Sequence, residues 1–198
     1  MASRRFSAGD DTVARDECTG NDRLHRYRLI VLAGGVGEVV ESAGGFLCDR
    51  ARAGWDVSVI LSGFLDRPFA RPWDPRPLSI LGVAAQDLDT DVAAVLRRLP
   101  LGGALAVGAE LLARDAGVRD DVMRVVTQGL SEVTVWRGSA DTGQGLEPAA
   151  HPLSTAARAF KAQALLAAGI DTGDTGIVAP TETLFRMRGQ SFRRLHSV

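Results

Sequence analysis

Apolar and polar residues change period repeatedly between Arg28 and Gly63, and the changes predict a strand, a helix and a second strand. Leu29, Ile30, Val31 and Leu32 form an unbroken apolar run, as expected of a strand covered on both faces. Gly34, Gly35 and Gly37 follow, and glycine admits turn conformations that other residues avoid. From there the apolar positions fall at Val36, Val39, Val40, Ala43, Phe46, Leu47 and Ala51, which is helical spacing. Glu38, Glu41, Asp49, Arg50 and Arg52 take the other face. The acids lead and the arginines close the helix, in the sense that suits its dipole. Gly54 predicts the stop, and Trp55 to Leu61 resumes as a strand. Gly44 and Gly45 stand inside the predicted helix, where glycine costs about 1 kcal/mol relative to alanine. Close packing of the helix on the sheet is the expected reason.

The remaining pattern continues the alternation. Pro68, Pro72, Pro75 and Pro77 mark a loop that also carries Phe64, Phe69 and Trp73. Leu78 to Val83 predicts a third strand. Asp87, Asp89 and Asp91 offer N-cap and first-turn residues for a helix with Leu88, Val92, Val95, Leu96 and Leu99 on one face. Ala104 to Val107 fits a short strand before a helix at Glu110 to Arg114, and equally a continuous helix. Val118, Val122, Val125, Val126 and Leu130 predict the next helix, and Val133 to Trp136 the next strand. A glycine-rich loop from Gly138 to Glu147 then leads to an alanine-rich helix from Leu153 to Ala168, and Ile177 to Ala179 predicts a last strand.

Strands alternating with helices predict one Rossmann-like three-layer α/β/α domain with a mainly parallel sheet of about five or six strands. It is expected over residues 23–183, with a disordered leader at 1–22 and a basic amphipathic tail at 184–198. Such sheets bind ligands outside the carboxyl ends of their strands. Those ends are Gly34 to Glu38, Ser62 to Asp66, Ala84 to Asp87 and Arg137 to Asp141.

A chain of 198 residues suits one domain, and a net charge of −1 gives no global attraction to nucleic acid or anionic membrane. No apolar run approaches the roughly 20 residues of a membrane span. The polar first residues contain no signal-type apolar segment, so the cytoplasm is the expected compartment. Lys161 is the one lysine among 23 basic residues, a coding bias expected of a GC-rich bacterial genome. Cys18 and Cys48 belong to no CxxC pair and make no disulfide framework.

The ligand-binding candidates are Gly34, Gly35, Gly37, Glu38, Ser62 and Asp66. The glycine turn precedes a helix N-terminus, where backbone N–H groups favour an anion. The dinucleotide fingerprint fails, because Gly35-Val36-Gly37-Glu38-Val39-Val40 ends in valine, and Glu38 would repel a phosphate. No phosphate-loop motif is present, so the cofactor is unknown and the NAD and P-loop classes are set aside. His25, His151 and His196 are far apart, Ser62 lacks a GxSxG frame, and Asp171, Thr172, Asp174 and Thr175 suit a turn.

Two families resemble these segments. Gly35 to Val40, with Gly54 to Val59 after it, resembles the first βαβ unit of GT-B glycosyltransferases, which need two such domains. Ala43-Gly44-Gly45, Gly54, Val57 to Leu61 and Ser62-Gly63 resemble the PIG-L (LmbE-like) deacetylases, and His151-Pro152 looks like that family's second histidine segment. The resemblance implies a Rossmann-like fold and a zinc motif, His-Pro-Asp-Asp, just before the glycine pair. Here Gly35, Val36, Gly37 and Glu38 stand in its place, and only Glu38 could ligate a metal. No zinc site carries over.

Intact fold signals beside missing chemical motifs suggest a non-catalytic or regulatory domain acting through protein partners or self-association. Its contact candidates are Phe69, Trp73, Phe185, Arg186, Arg188, Phe192, Arg193 and Arg194. One alternative is a small enzyme or binder of a nucleotide, sugar-phosphate or similar anion at the strand ends. Another is nucleic-acid association through the arginine-rich tail.

Overall fold

The computed structural model describes residues 27–61, 74–86, 91–99, 102–129, 131–137, 145–171 and 177–187. The expected leader, most of the proline-rich loop and the chain beyond Met187 lie outside them.

Strand β1, Arg28–Ala33, organises the layers. Successive side chains of a strand point to opposite faces. Leu29, Val31 and Ala33 therefore enter one core, and Ile30 and Leu32 the other. Helix α1 is Val36–Arg52 and covers the first face with Val39, Val40, Ala43 and Leu47. Strand β2, Asp56–Leu61, returns parallel to β1, with Leu29 opposite Val57. The expected βαβ unit is thus present.

The next segment corrects an expectation. Leu78 and Leu81 are buried, yet the predicted strand from Leu78 to Val83 is instead helix α2, Arg76–Ile80, followed by a turn. Pro77 sits in the first turn, where its missing N–H costs nothing, and Gly82 at φ 75° ends the element. The strand comes later, as β3, Ala84–Gln86. Helix α3, Val92–Arg97, is capped by Asp91, whose side chain accepts from the Ala94 N–H. The ambiguous segment resolves into strand β4, Ala104–Gly108, and helix α4, Ala109–Arg114. Burial of all five β4 residues between two layers selects the strand. Helix α5, Ala116–Gln128, ends at Gly129 in the left-handed conformation, and strand β5 is Glu132–Trp136.

Two further strands lie where the sequence predicted other things. Strand β6, Leu146–Pro152, runs where loop and helix start were expected. It is an edge strand, mostly exposed, and an edge tolerates Pro148 and Pro152. Helix α6 is Thr155–Ala167. The last strand is β7, Thr181–Met187, not Ile177 to Ala179. Residues Leu184 to Met187, assigned to the tail by their arginine context, pair with β5 and β6 inside the sheet. The seven-stranded sheet has the order β3-β2-β1-β4-β5-β7-β6, parallel from β3 to β5, with β7 antiparallel to both its neighbours. Helices α1, α2 and α6 cover one face and α3, α4 and α5 the other.

Two polar ties fasten α1 to the β6–α6–β7 segment. In the first, Lys161 Nζ donates to Glu182 Oε1 at 2.5 Å and to the Glu41 carbonyl at 2.7 Å. Glu182 in turn accepts from the backbone N–H of Gly45 and of Phe46. Both side chains are buried. They therefore insert into the middle of α1, taking N–H and C=O groups that an undisturbed helix would pair with each other. This accounts for the glycine pair. A Cβ on Gly45 would overlap Leu153, and one on Gly44 would meet Leu81 at 3.4 Å. The close packing expected at these glycines is present, against Leu153 and α6 rather than the sheet.

In the second tie, Asp49 accepts from Ser154 Oγ at 2.6 Å, from the Ser154 N–H, and faces His151 Nε2 at 3.1 Å. Ser154 also caps α6 through the Ala157 N–H. Burial alone would raise the Asp49 pKa, but the hydrogen bonds from Ser154 and His151 outweigh it and hold the carboxyl below its usual value. A depressed carboxyl contributes stability above the unfolded pKa of about 3.9, and that stability is lost as pH falls through the folded value. Asp49→Asn should therefore be less stable than the native chain at neutral pH, and the gap should narrow on acidification. Urea titrations over the acid range read this directly, and two curves that stay parallel would remove Asp49 as the source.

Candidate functional site

The strand order reverses between β1 and β4: from β1 the chain builds outward through β2 and β3, then returns to the other side. A crevice at such a switch point is where open α/β sheets bind ligands. Glu38, in the first turn of α1, lies at this switch point, its carboxylate against Gly34 after β1 and Gly108 at the end of β4. Its Oε1 accepts from the Trp136 indole N–H at 2.9 Å, and its Oε2 from the Gly34 backbone N–H at 3.3 Å. Trp136 is fully buried at the end of β5. A Cβ on Gly108, the last residue of β4, would run into Glu38 Oε1. One carboxylate is thus seated against the ends of β1, β4 and β5. Each oxygen has given one lone pair to a protein donor and keeps another for a ligand or water.

Among the described residues, nothing lies within 4 Å of a Cβ built on Gly35, the N-cap of α1. No side chain among the described residues caps the helix there. Its first-turn N–H groups have no partner within the helix, and such groups favour an anion or a polarised oxygen.

The rim is built by Arg137, the only non-glycine residue with positive φ (56°) among those described. A strained residue directly after a strand, beside a seated carboxylate, is typical of functional sites. The strain is held by contacts to two helices. Arg137 Nε donates to Ser42 Oγ at 2.6 Å, and its terminal nitrogens reach Glu41 on α1 and Glu110 on α4. Glu38, Glu41 and Ser42 share one side of α1 because residues three and four apart are neighbours on a helix.

Of the residues the sequence singled out, Gly34, Gly35, Gly37 and Glu38 come together here, whereas Ser62 and Asp66 lie outside the described residues. Phe185 and Arg186 are elsewhere, on β7: Phe185 is buried in a core, and Arg186 bonds Glu132. Phe69, Trp73, Arg188, Phe192, Arg193 and Arg194 fall outside the described residues. The residues the sequence did not bring forward are Trp136, Gly108, Glu41 and Glu110. Arg137 was included only as the start of a strand-end loop.

The sequence matches no protein-family model and no curated protein. Solved structures do match. A teicoplanin-biosynthesis deacetylase, in complex with teicoplanin, superposes with a TM-score of 0.59 at 12% identity, over 83% of this chain and 99% of that one. The deacetylase of the A40926 pseudoaglycone gives 0.57 at 14%, over 82% and 98%. The chain has the fold of these deacetylases. The same fold also matches 4-carboxy-2-hydroxymuconate hydratase of Pseudomonas putida, with a TM-score of 0.50 at 13% identity, over 81% and 95%. The PIG-L resemblance and the Rossmann-like fold are borne out as architecture. The expectation of a non-catalytic domain acting through partners is corrected, because the structures that share the fold are enzymes. That expectation also leaned on an apolar and basic tail, and its first residues are sheet.

The zinc implied by the deacetylase resemblance does not fit the residues at this position. Glu38 is the one potential ligand in the Gly35 to Glu38 stretch. His151 is committed to Asp49, which lies about 16 Å further along α1 at 1.5 Å per residue.

Proposed function

We propose that this chain is an enzyme that activates water at the switch-point crevice and hydrolyses an N-acyl amide, with Glu38 as the general base. The observation that carries the reading is the seated carboxylate of Glu38 at a helix N-terminus that no side chain among the described residues caps. The fold supports it: the named activities of the matched structures, deacetylation and hydration, both consume water.

The substrate carbonyl lies over Gly35, with its oxygen toward the first-turn N–H groups of α1. Glu38 takes a proton from water as the water oxygen bonds to the carbonyl carbon. The N–H groups stabilise the oxyanion that forms. The C–N bond then breaks, and the proton on Glu38 passes to the leaving nitrogen, giving a carboxylic acid and an amine. Glu41 and Glu110 share the one guanidinium of Arg137, and Glu38 beside them is bonded only to neutral N–H groups, a balance that favours an uncharged acyl substrate and an ammonium product over an anion. A cytoplasmic setting belongs to the same proposal, supported by the buried free thiol of Cys48.

Acetate release from a panel of N-acetylated amino sugars and glycopeptides tests the reading. Glu38→Gln should lower kcat/KM by about 100-fold or more, the range for loss of a general base. A Glu38→Gln protein that is folded and still active would overturn the role of Glu38. No release across the panel would count against amide hydrolysis.

A further inference from the structure

We infer that the switch-point site works without a resident metal ion: Gly35 to Glu38 stand where the deacetylase resemblance would put the first ligands, and Glu38 is bonded there to Trp136 instead. The inference rests on the reading of this crevice as the active site, but it concerns a different property.

Four observations converge. Among the described residues, no three His, Cys, Asp or Glu side chains come together in a way that could hold a metal. A catalytic zinc ordinarily takes three protein ligands. The partner that Glu38 does have is an indole N–H, which only donates and cannot ligate a cation. That N–H comes from a fully buried side chain, so it cannot swing away to solvent. Finally, Gly108 lets the carboxylate lie directly against the β4 backbone, which closes the space on that side of Oε1. Two N–H groups thus present partial positive charge to the one carboxylate that a divalent cation would need. They perform the orienting task that a metal would otherwise perform, and they leave the remaining lone pairs for water.

The test uses the full chain, purified without a histidine tag and incubated with excess zinc chloride before desalting. Elemental analysis should find zinc well below one equivalent, and thermal melts should show no rise in Tm with added zinc. Trp136→Phe supplies the second arm. It removes the donor while keeping an aromatic ring; zinc retention should still stay low, because Glu38 remains a lone potential ligand at this turn, and stoichiometric zinc on this variant would overturn that ligand argument. Stoichiometric zinc on the native chain, with a raised Tm, would overturn the inference. Because zinc content is read without substrate, its outcome is separate from that of the hydrolysis assay. Zinc-bound protein whose Glu38→Gln variant is inactive would sink this inference alone, and zinc-free protein inactive on every amide would sink the functional reading alone.

Discussion

Replacing Lys161 with methionine should destabilise the protein by about 3–5 kcal/mol, the cost of leaving one member of a buried ion pair without its partner. Lys161 Nζ lies 2.5 Å from Glu182, and both side chains are almost wholly inaccessible. Methionine has similar length and fills the space, so the loss is electrostatic rather than a cavity. For a chain of this size, each 1 kcal/mol moves Tm by roughly 2–4 °C, so a fall of roughly 6–20 °C is expected in a thermal melt. The double variant Lys161→Met with Glu182→Gln should recover part of it. Glutamine removes the stranded charge and keeps one oxygen for the N–H groups of Gly45 and Phe46, though its amide nitrogen cannot accept from the second. Equal melting temperatures for the native chain and Lys161→Met would mean that the pair contributes no net stability. A double variant no better than the single would place the energy in the Lys161 bond to the Glu41 carbonyl instead.

Gly108→Ala should lower kcat/KM by about 100-fold while leaving the fold in place. The added methyl would meet the Glu38 carboxylate, the end of a flexible side chain, and would stand 3.3 Å from the Trp136 indole nitrogen. The carboxylate can swing aside at little cost to the sheet, since alanine suits the extended backbone at this strand end (φ −73°, ψ 131°). Glu38 then loses its Trp136 bond and its aim, and a misplacement near 1 Å at a reacting group costs about 100-fold in rate. The buried indole N–H left without its acceptor should also cost about 1–3 kcal/mol. The measurements are kcat/KM beside Tm and the near-ultraviolet circular dichroism of the tryptophans. A variant with full activity would show that Glu38 need not sit against β4.

Part of this was legible along the chain. The apolar run at Leu29 to Leu32, the glycine turn and the helical spacing from Val36 place Glu38 at a helix start beside a strand end, which is where it lies. The helix from Val118 and the strand from Val133 were legible for the same reason. Strand β6 was not. Glu147, Pro148, His151 and Pro152 are poor strand formers, and an edge strand with one side to solvent needs few apolar residues to form. Strand β7 was obscured differently. Arg186 and Arg188 gave its end the look of a solvated tail, yet Arg186 is satisfied by Glu132 on the neighbouring strand. The segment at Leu78 was apolar and short, and so compatible with helix or strand until packing chose.

What the sequence determined by itself is what local period can carry: a βαβ start, alternating layers and a glycine turn with one acid behind it. Each of those depends on residues within one or two turns of each other. The tertiary structure alone decided that this acid bonds an indole 98 residues away, that Gly108 exists to admit it, and that Arg137 bridges two helices at its rim. It likewise joined Lys161 to the middle of α1, 120 residues distant, and so explained a glycine pair that the helix itself disfavours. Contacts of that reach leave no periodic trace in a chain, because the residues that make them are brought together only when the sheet closes its order and the layers pack.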